Sequence, residues 1–332
     1  MSKIKGPARL DSKTRERVRV LVDFLDGYFN IAYHGTENIP AGSRFVWTHN
    51  HCGWPSLDAL VIGKKILDIN HQATGEYESG LSFWHDLVAR SPVVGGVVER
   101  LSGLSIKEVA SYPYWQEHKI FATPAEGEEG SFRSSFGQRS TLTEFKSGIG
   151  RIACLGKAQY ILPVSIIGPE ESFPAMGRAR IPVKKLLAYM EGHARFERLH
   201  GLVSRVSQKD LFLPFLLPLQ GLPFSWYVRF HPPVDISSLV SRSDPSKFDK
   251  KTYKKIGQKA KEVIGKDLER EYESRRRFQY KKPKMTPAFK KICRQKIVSA
   301  KEHLENLLAR KAHPPSDKEN MARGHEEKKR SA

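Results

Sequence analysis

Short apolar segments alternate with helix-forming segments through the middle of the chain, and this alternation restricts the fold more than any other feature. Segments 44–49, 118–124 and 159–168 have the β-branched and aromatic composition of buried strands. A helical pattern follows the first of them at 56–67, and another lies between the last two at 143–156. Strands that alternate with helices are typical of a parallel sheet covered by helices. The sequence therefore predicts an α/β fold with a mixed, largely parallel sheet flanked by helices.

The two ends of the chain are helical in pattern and differ from its centre. Residues 11–29 carry apolar side chains at helical spacing, so they predict an amphipathic helix that packs on the core or lies in a membrane interface. From about Ser243 the chain becomes lysine-rich, with helical patterns at 252–278 and 289–311. The predicted parts are an N-terminal amphipathic helix at 1–32, a central domain at 33–240, a basic helical extension at 241–312 and a disordered tail at 313–332.

Two segments near the end of the central domain contain prolines that limit their structure. Residues 225–236 predict one more strand, ended by Pro232 and Pro233. Residues 211–224 are strongly apolar, but their three prolines exclude a long helix. This second segment fits either a buried crossover or an apolar surface near a membrane.

The chain is strongly basic, with a net charge of +20 over 332 residues and an isoelectric point of about 9.8. Residues 275–332 contribute much of this charge, with 18 lysines and arginines against 6 aspartates and glutamates. Such a surface attracts polyanions, either nucleic acid or an anionic membrane, although a solvated tail that keeps the chain soluble has the same composition. Because residues 275–332 contain no nucleic-acid-binding motif, we expect a membrane surface and no nucleic acid as partner.

The sequence has no pattern typical of membrane-spanning, secreted or disulfide-rich proteins. No segment reaches the roughly 18 apolar residues of a spanning helix, and the N-terminus lacks the apolar region of a secretory signal. Its three cysteines, Cys52, Cys154 and Cys293, are too few and too far apart for a disulfide framework. We expect a cytoplasmic protein attached peripherally to a membrane.

Reactive side chains are concentrated in WTHNHCGWPSLDAL, residues 47–60. His49, His51 and Cys52 are residue types that bind metals. A closed zinc site needs four ligands, however, and no second pair of cysteines or histidines occurs elsewhere in the sequence, so no metal is predicted. A nucleophilic Cys52 beside His51 is a second interpretation, although adjacent residues rarely face each other. In the third, His51 is a base at a strand end and Asp58, near the start of the next helix, orients it. A turn with a capping aspartate would have the same pattern.

Four ordered blocks resemble the lysophospholipid/glycerol-phosphate acyltransferase family, whose members include 1-acylglycerol-3-phosphate acyltransferases. Residues 33–60 resemble the family's first block, in which an ENIP-type segment leads into a strand that ends in Asn-His and is followed by an aspartate. PAEGEEGSFR at 124–133 resembles the Pro-Glu-Gly block, and EFKSGIGRIAC at 144–154 resembles the helix after it. ILPVSIIGPEESFP at 161–174 resembles the Pro-Val block. The resemblance covers about residues 30–240.

The chain also departs from the family's commonest pattern. The usual spacing is His-x4-Asp, whereas His51 and Asp58 have the spacing His-x6-Asp, and Ser56 occupies the usual aspartate position. This spacing resembles a branch of the family with a longer turn. In many members a basic residue follows Glu-Gly, whereas here two glutamates follow and the first cation is Arg133.

The resemblance implies an O-acyltransferase that moves an acyl group from acyl-CoA or acyl carrier protein to a hydroxyl of a lysophospholipid, glycerol-phosphate or related glycerolipid. It needs no cofactor besides this co-substrate. His51 would be the general base and Asp58 its orienting acid. The implied acceptor-binding residues are Glu126, Gly127, Arg133, Arg100 and Lys107. One alternative is a nucleic-acid-binding protein that uses the basic extension. The other is an inactive acyltransferase-like scaffold, which the altered His-Asp spacing suggests.

Overall fold

A mixed sheet of eight strands forms the centre of the protein in the computed structural model. The described residues are 10–52, 57–78, 80–90, 95–124, 126–127, 142–173, 175–181, 187–188, 191, 211–216, 221–240 and 249–275. All of them belong to one compact unit, Met1–Lys284. Their strands are β1 (Ala32–His34), β2 (Phe45–His49), β3 (Leu81–Trp84), β4 (Gly103–Ser105), β5 (Ile120–Ala122), β6 (Tyr160–Ile167), β7 (Ala175–Ile181), β8 (Leu211–Leu216), β9 (Tyr227–Phe230) and β10 (Val234–Asp235).

The main sheet has the order β1-β9-β6-β2-β5-β3-β4, with β10 also paired to β6. Strands β6, β2, β5, β3 and β4 are parallel to one another, whereas β9 and β10 are antiparallel to β6. Strands β7 and β8 form a separate antiparallel pair. The predicted α/β fold with a largely parallel sheet is therefore confirmed.

Helices cover both faces of the sheet. They are α1 (Ser12–Phe29), α2 (Leu57–Thr74), α3 (Asp86–Ala89), α4 (Gly95–Arg100), α5 (Gly148–Leu155), α6 (Pro169–Ser172) and α7 (Lys250–Ser274). Apolar side chains of α1 and α2 form one core with strand residues such as Phe45 and Leu162, and those of α5 and α7 form another with Val46 and Ile161. Because consecutive strand residues point to opposite faces, β2 and β6 contribute to both cores.

The N-terminal helix α1 packs on the core. Asp11 caps it by accepting a hydrogen bond from the amide of Thr14 at 2.9 Å. Val22, Leu25 and Phe29 are buried, and the ring of Phe29 stacks on Trp226 with centroids 4.3 Å apart. Among the described helices, none has the length and apolarity that crossing a membrane requires.

Helix α7 lies against α5 and β6, and its last turn is attached to the residues that follow β6. The Tyr272 hydroxyl donates to Glu170 Oε1 at 2.8 Å, and the guanidinium of Arg275 donates to the carbonyl of Ser225. Arg275 also lies 4.0 Å from the buried carboxylate of Glu171. Residues up to Arg275 are thus part of the folded unit.

Several segments differ from the prediction in detail. The strand predicted at 225–236 is two strands, because the prolines at 232 and 233 separate β9 from β10, and both pair with β6. Segment 211–216 is strand β8, which agrees with the exclusion of a long helix at 211–224. Strands β3 and β4 were not predicted, since runs of four and three residues give little pattern. The predicted helix at 289–311 and the tail at 313–332 lie outside the described residues.

Candidate active site

The structure brings His51 and Asp58 together at the carboxyl end of the central strand β2. His51 Nδ1 lies 3.1 Å from Asp58 Oδ2. Asp58 is completely buried in the first turn of α2, while 7% of the His51 surface is exposed. In open parallel sheets, ligands bind in the crevice beyond the carboxyl ends of the strands, so this pair lies where a substrate would be expected.

The start of α2 explains how a spacing of seven residues brings the two side chains into contact. Helix α2 begins at Leu57, so Asp58 is its second residue rather than a residue two helical turns away from His51. The same carboxylate oxygen lies 3.2 Å from the amide of Cys52, which donates to it. A carboxylate in the first turn is also favoured by the positive end of the helix dipole. Asp58 therefore connects the start of α2 to the residues that follow β2.

The charge state of Asp58 fixes the proton on His51. Burial by itself would raise the pKa of the Asp58 carboxyl, but its interactions with the imidazoles of His51 and His49 outweigh burial, so this pKa lies below its ordinary value. A carboxylate can only accept hydrogen bonds, so the 3.1 Å contact with Asp58 Oδ2 is a hydrogen bond when Nδ1 of His51 carries the proton. Nε2 of a neutral His51 then holds the lone pair, which is the form a general base requires.

A second histidine faces the same carboxylate oxygen. His49, the last residue of β2, is fully buried, and its Nε2 lies 3.3 Å from Asp58 Oδ2. It lies on the same face of β2 as Trp47, whose ring centroid is 5.4 Å away, and α2 covers this face. The alternation of β2 could have predicted the shared face of residues 47 and 49, but the position of α2 over that face is information that the sequence does not carry.

Asn50 and Cys52 attach the chain around His51 to the neighbouring strand β6. Asn50 Nδ2 donates to the carbonyl of Ile166 at 2.7 Å, and the amide of Ile166 donates to Asn50 Oδ1 at 2.8 Å. These bonds continue the pairing of β2 with β6 through a side chain, one residue beyond the end of the strand. The buried thiol of Cys52 lies 3.6 Å from the same carbonyl. Asn50 was not among the predicted site residues, although it directly precedes His51 in the sequence.

Glu126 holds the main chain at His51. Its Oε2 accepts a hydrogen bond from the amide of His51 at 2.9 Å, and its Oε1 accepts from the amide and hydroxyl of Thr143 at 2.8 and 3.1 Å. Glu126 is completely buried. Gly127 has a φ of +63°, a conformation that favours glycine and explains the Glu-Gly pair. The resemblance implied that Glu126 binds the acceptor, whereas these contacts are to Thr143 and to the main chain at His51.

The three predicted acceptor cations have different surroundings. Arg100 is exposed at the end of α4. Lys107 Nζ lies 2.7 Å from Asp86 Oδ2. Burial acts to raise the pKa of the Asp86 carboxyl, but hydrogen bonds from Lys107 and Ser105 outweigh burial and lower this pKa. Lys107 would have to exchange this partner to bind an acceptor phosphate. Arg133 lies outside the described residues.

A serine, a histidine and an aspartate also meet at β6, beyond the end of β9. His231 Nε2 lies 2.7 Å from Ser165 Oγ and 3.5 Å from Asp267 Oδ2 of α7. A hydrolase triad places the serine and the acid on different ring nitrogens, whereas here both face the same one. Burial lowers the pKa of His231 despite Asp267. This group is a buried link between the sheet and α7.

Comparison with known proteins gives distant similarities. No family model matches the chain. Uncharacterized protein Rv0502 of Mycobacterium tuberculosis and uncharacterized protein Mb0514 of Mycobacterium bovis are each 26% identical over 226 residues, which is 66% of this chain and 56% of theirs. The chain thus spans little more than half the length of these relatives. The crystal structure of the 1-acyl-sn-glycerophosphate (LPA) acyltransferase PlsC from Thermotoga maritima aligns with a TM-score of 0.45 and 18% identity, covering 80% of this chain and 83% of that one.

Proposed function

We propose that this protein transfers an acyl group from a thioester, acyl-CoA or acyl carrier protein, to a hydroxyl of a lysophospholipid, glycerol-phosphate or related glycerolipid. The observation that supports this proposal most directly is the 3.1 Å contact between His51 Nδ1 and the buried carboxyl group of Asp58 at the carboxyl end of a parallel strand. This is the arrangement of a general base with its orienting acid. The order of the sequence blocks that resemble the acyltransferase family indicates the substrate class.

The chemistry follows from the tautomer of His51. Nε2 removes the proton of the acceptor hydroxyl while the hydroxyl oxygen attacks the thioester carbonyl. Asp58 stabilises the imidazolium that forms, through the Nδ1 proton. The tetrahedral intermediate then expels the thiolate, which takes the proton from Nε2, so that His51 returns to its first state. A thioester is already activated and needs no covalent enzyme intermediate, and proton removal by a positioned base contributes about 10²–10⁴ in rate.

Glu126 has a positioning part in this proposal. It accepts a hydrogen bond from the main chain of His51, so it fixes the imidazole relative to the sheet. Gly127, Arg100, Lys107 and Arg133 remain proposed acceptor-binding residues. Since two glutamates follow Gly127, the acceptor panel must include both phosphate-bearing and uncharged lipids.

The experiment is to incubate purified protein with labelled acyl-CoA and a panel of lysophosphatidic acid, lysophosphatidylcholine, glycerol 3-phosphate and monoacylglycerol, and to identify the products by mass spectrometry. We expect one class of acceptor to be acylated by the wild type and not by His51→Ala. Cys52→Ala is the matched control, because Cys52 is adjacent to His51 and this variant should stay active. If Cys52 were the nucleophile, Cys52→Ala would instead be inactive. Absence of product with every acceptor and with both donor types would instead support an inactive scaffold.

We also propose that the protein works at an anionic membrane surface. The net charge of +20 supports this part of the proposal. Flotation with anionic and neutral liposomes, beside a salt-dependent shift assay with DNA and RNA, separates it from nucleic-acid binding. Preferential flotation with anionic liposomes is expected, and tighter binding to nucleic acid would overturn this part of the proposal.

A further inference from the structure

We propose that His49, His51 and Asp58 form a binding site for a divalent transition-metal ion of the zinc class, and that metal binding switches off the base. One possible ligand atom from each residue lies within 4.8 Å of those of the other two, and all three side chains are buried. The metal site does not depend on the proposed acyl transfer, whereas its inhibitory effect does. The site uses the same atoms that hold the His51 proton, so proton and metal compete for it.

The distances suit a zinc-class ion. Asp58 Oδ2 lies 3.3 Å from His49 Nε2 and 3.1 Å from His51 Nδ1. In a tetrahedral zinc site with bonds of about 2.0–2.1 Å, neighbouring ligand atoms are separated by about 3.3 Å. Two imidazoles and one carboxylate are also a common set of protein ligands for zinc in catalytic sites, where a water takes the fourth position. The ligand atoms of His49 and His51 lie within 4.8 Å of each other, so side-chain movements must bring them to bonding distance of the ion.

His49 provides the independent observation for this site. It is fully buried, and among the described residues its Nδ1 has no hydrogen-bond partner. Buried polar atoms are rarely left without such a partner. The Nε2 of His49 has Asp58 Oδ2 beside it at 3.3 Å, which is longer than most N–H···O hydrogen bonds. A metal ion between the three side chains would give this nitrogen a bond.

Metal binding would inactivate His51 through its tautomer. In the productive form Nδ1 carries the proton and Nε2 holds the lone pair. A metal on Nδ1 requires the lone pair there, and the proton of the neutral ring then resides on Nε2. His51 in this form cannot accept the proton of an alcohol. The ion therefore acts as a reversible inhibitor and not as a Lewis acid in the reaction.

The test uses the full chain, freed of metal with a chelator. Zinc binding is measured by titration calorimetry, and cobalt is used as a spectroscopic probe, because tetrahedral coordination gives strong visible bands. We expect a cobalt spectrum of tetrahedral type in the wild type, and zinc binding weakened by about tenfold or more in His49→Phe, which keeps a ring without ligand nitrogens. His49→Gln is the second variant if His49→Phe does not fold. His34→Phe, which changes an exposed histidine of β1, is the control for binding to surface histidines.

Two results would overturn the site: unchanged zinc affinity in both His49 variants, or a loss of affinity in His34→Phe that equals theirs. In the acyl-transfer assay, zinc should inhibit the wild type and a chelator should restore its activity. Zinc binding at His49 without inhibition of a measurable activity would refute the inhibitory effect alone. Zinc binding that depends on His49 in a protein without any acyl transfer would retain the site and reject the proposed function.

Discussion

The seven-residue separation between His51 and Asp58 gives a direct test of the proposed base. Asp58→Asn preserves the shape of the side chain but removes the charge that stabilises the imidazolium. We expect kcat to fall by about 10²-fold or more, with an unchanged circular dichroism spectrum. Ser56→Ala is the matched control, because Ser56 occupies the position of the aspartate in the commoner spacing. Greater damage from Ser56→Ala than from Asp58→Asn would show that the pairing is assigned to the wrong residue.

A second residue-scale prediction separates two roles of Glu126. Glu126→Gln leaves one oxygen where two now accept hydrogen bonds from the main chain at His51 and from Thr143, and an unsatisfied buried donor costs about 1–3 kcal/mol. If Glu126 positions His51, kcat should fall while the KM for the acceptor changes little. Thr143→Ser keeps both of the Thr143 donors and should retain the wild-type kcat. A rise in acceptor KM at constant kcat would instead place Glu126 in the acceptor pocket, as the sequence suggested.

At the residue scale, the sequence predicts contacts between residues that are close in the chain better than contacts between residues that are far apart. His51 and Asp58 are seven residues apart, and the turn signal between them made their contact foreseeable. The partners of Asn50 and Glu126 could not be found in this way, because Ile166 and Thr143 approach only through the order of the strands. His49 was noticed as a metal-ligand type, but its approach to Asp58 depends on the position of α2.

At the scale of elements, the contact between α5 and α7 depends on a missing side chain. A Cβ added at Gly150 would lie 2.6 Å from the Cα of Tyr253 in α7. Gly150→Ala should therefore force the helices apart and destabilise the protein by about 1–3 kcal/mol, which thermal denaturation would show as a lower melting temperature. Gly148→Ala is the control in the same helix, since its nearest contact would be 3.8 Å away, and it should be tolerated. Equal melting temperatures for the two variants would mean that α7 does not pack closely here.

The elements that the sequence predicted well are those with long or strongly periodic patterns. Strand β6 and helix α1 agree with their predicted ranges to within one residue at each end. The short strands β3 and β4 were not predicted, because three or four residues show little sequence pattern and their pairing depends on the neighbouring strands. The prolines at 232 and 233 predict the end of a strand, and β9 does end before them. The return of the chain to β6 as β10 is a tertiary contact, which the sequence does not predict.

At the scale of the whole molecule, the boundary of the folded unit decides where the basic tail can be removed. A cut after Ser274 would remove Arg275, whose guanidinium donates to the carbonyl of Ser225. A weaker binding to liposomes could then result either from destabilised folding or from the lost charge. A deletion of residues 285–332 follows the boundary of the compact unit and removes 12 lysines and arginines against 6 acidic residues. We expect weaker and less salt-sensitive binding to anionic liposomes, because each basic residue near such a surface contributes about 1 kcal/mol.

The same deletion should leave activity on detergent-dispersed substrate mostly intact, because His51 and Asp58 lie in the first unit. Its melting temperature, measured in parallel, is the control for folding. If melting temperature and activity fall together while liposome binding is unchanged, the tail stabilises the protein and its proposed membrane role is wrong.

If the proposed acyl transfer is correct, the hydrogen bonds of Glu126 also bear on how the acceptor of the reaction changes during evolution. One carboxylate binds the amide of His51 on one side and Thr143 on the other, so the chain between Glu126 and Thr143 begins and ends at fixed points. We expect substitutions within 128–141 to leave the hydrogen bonds of Glu126, and the proposed base, in place. Exchange of this segment with that of a relative should therefore alter acceptor preference without loss of turnover, which makes it a natural position for divergence between enzymes that share one reaction.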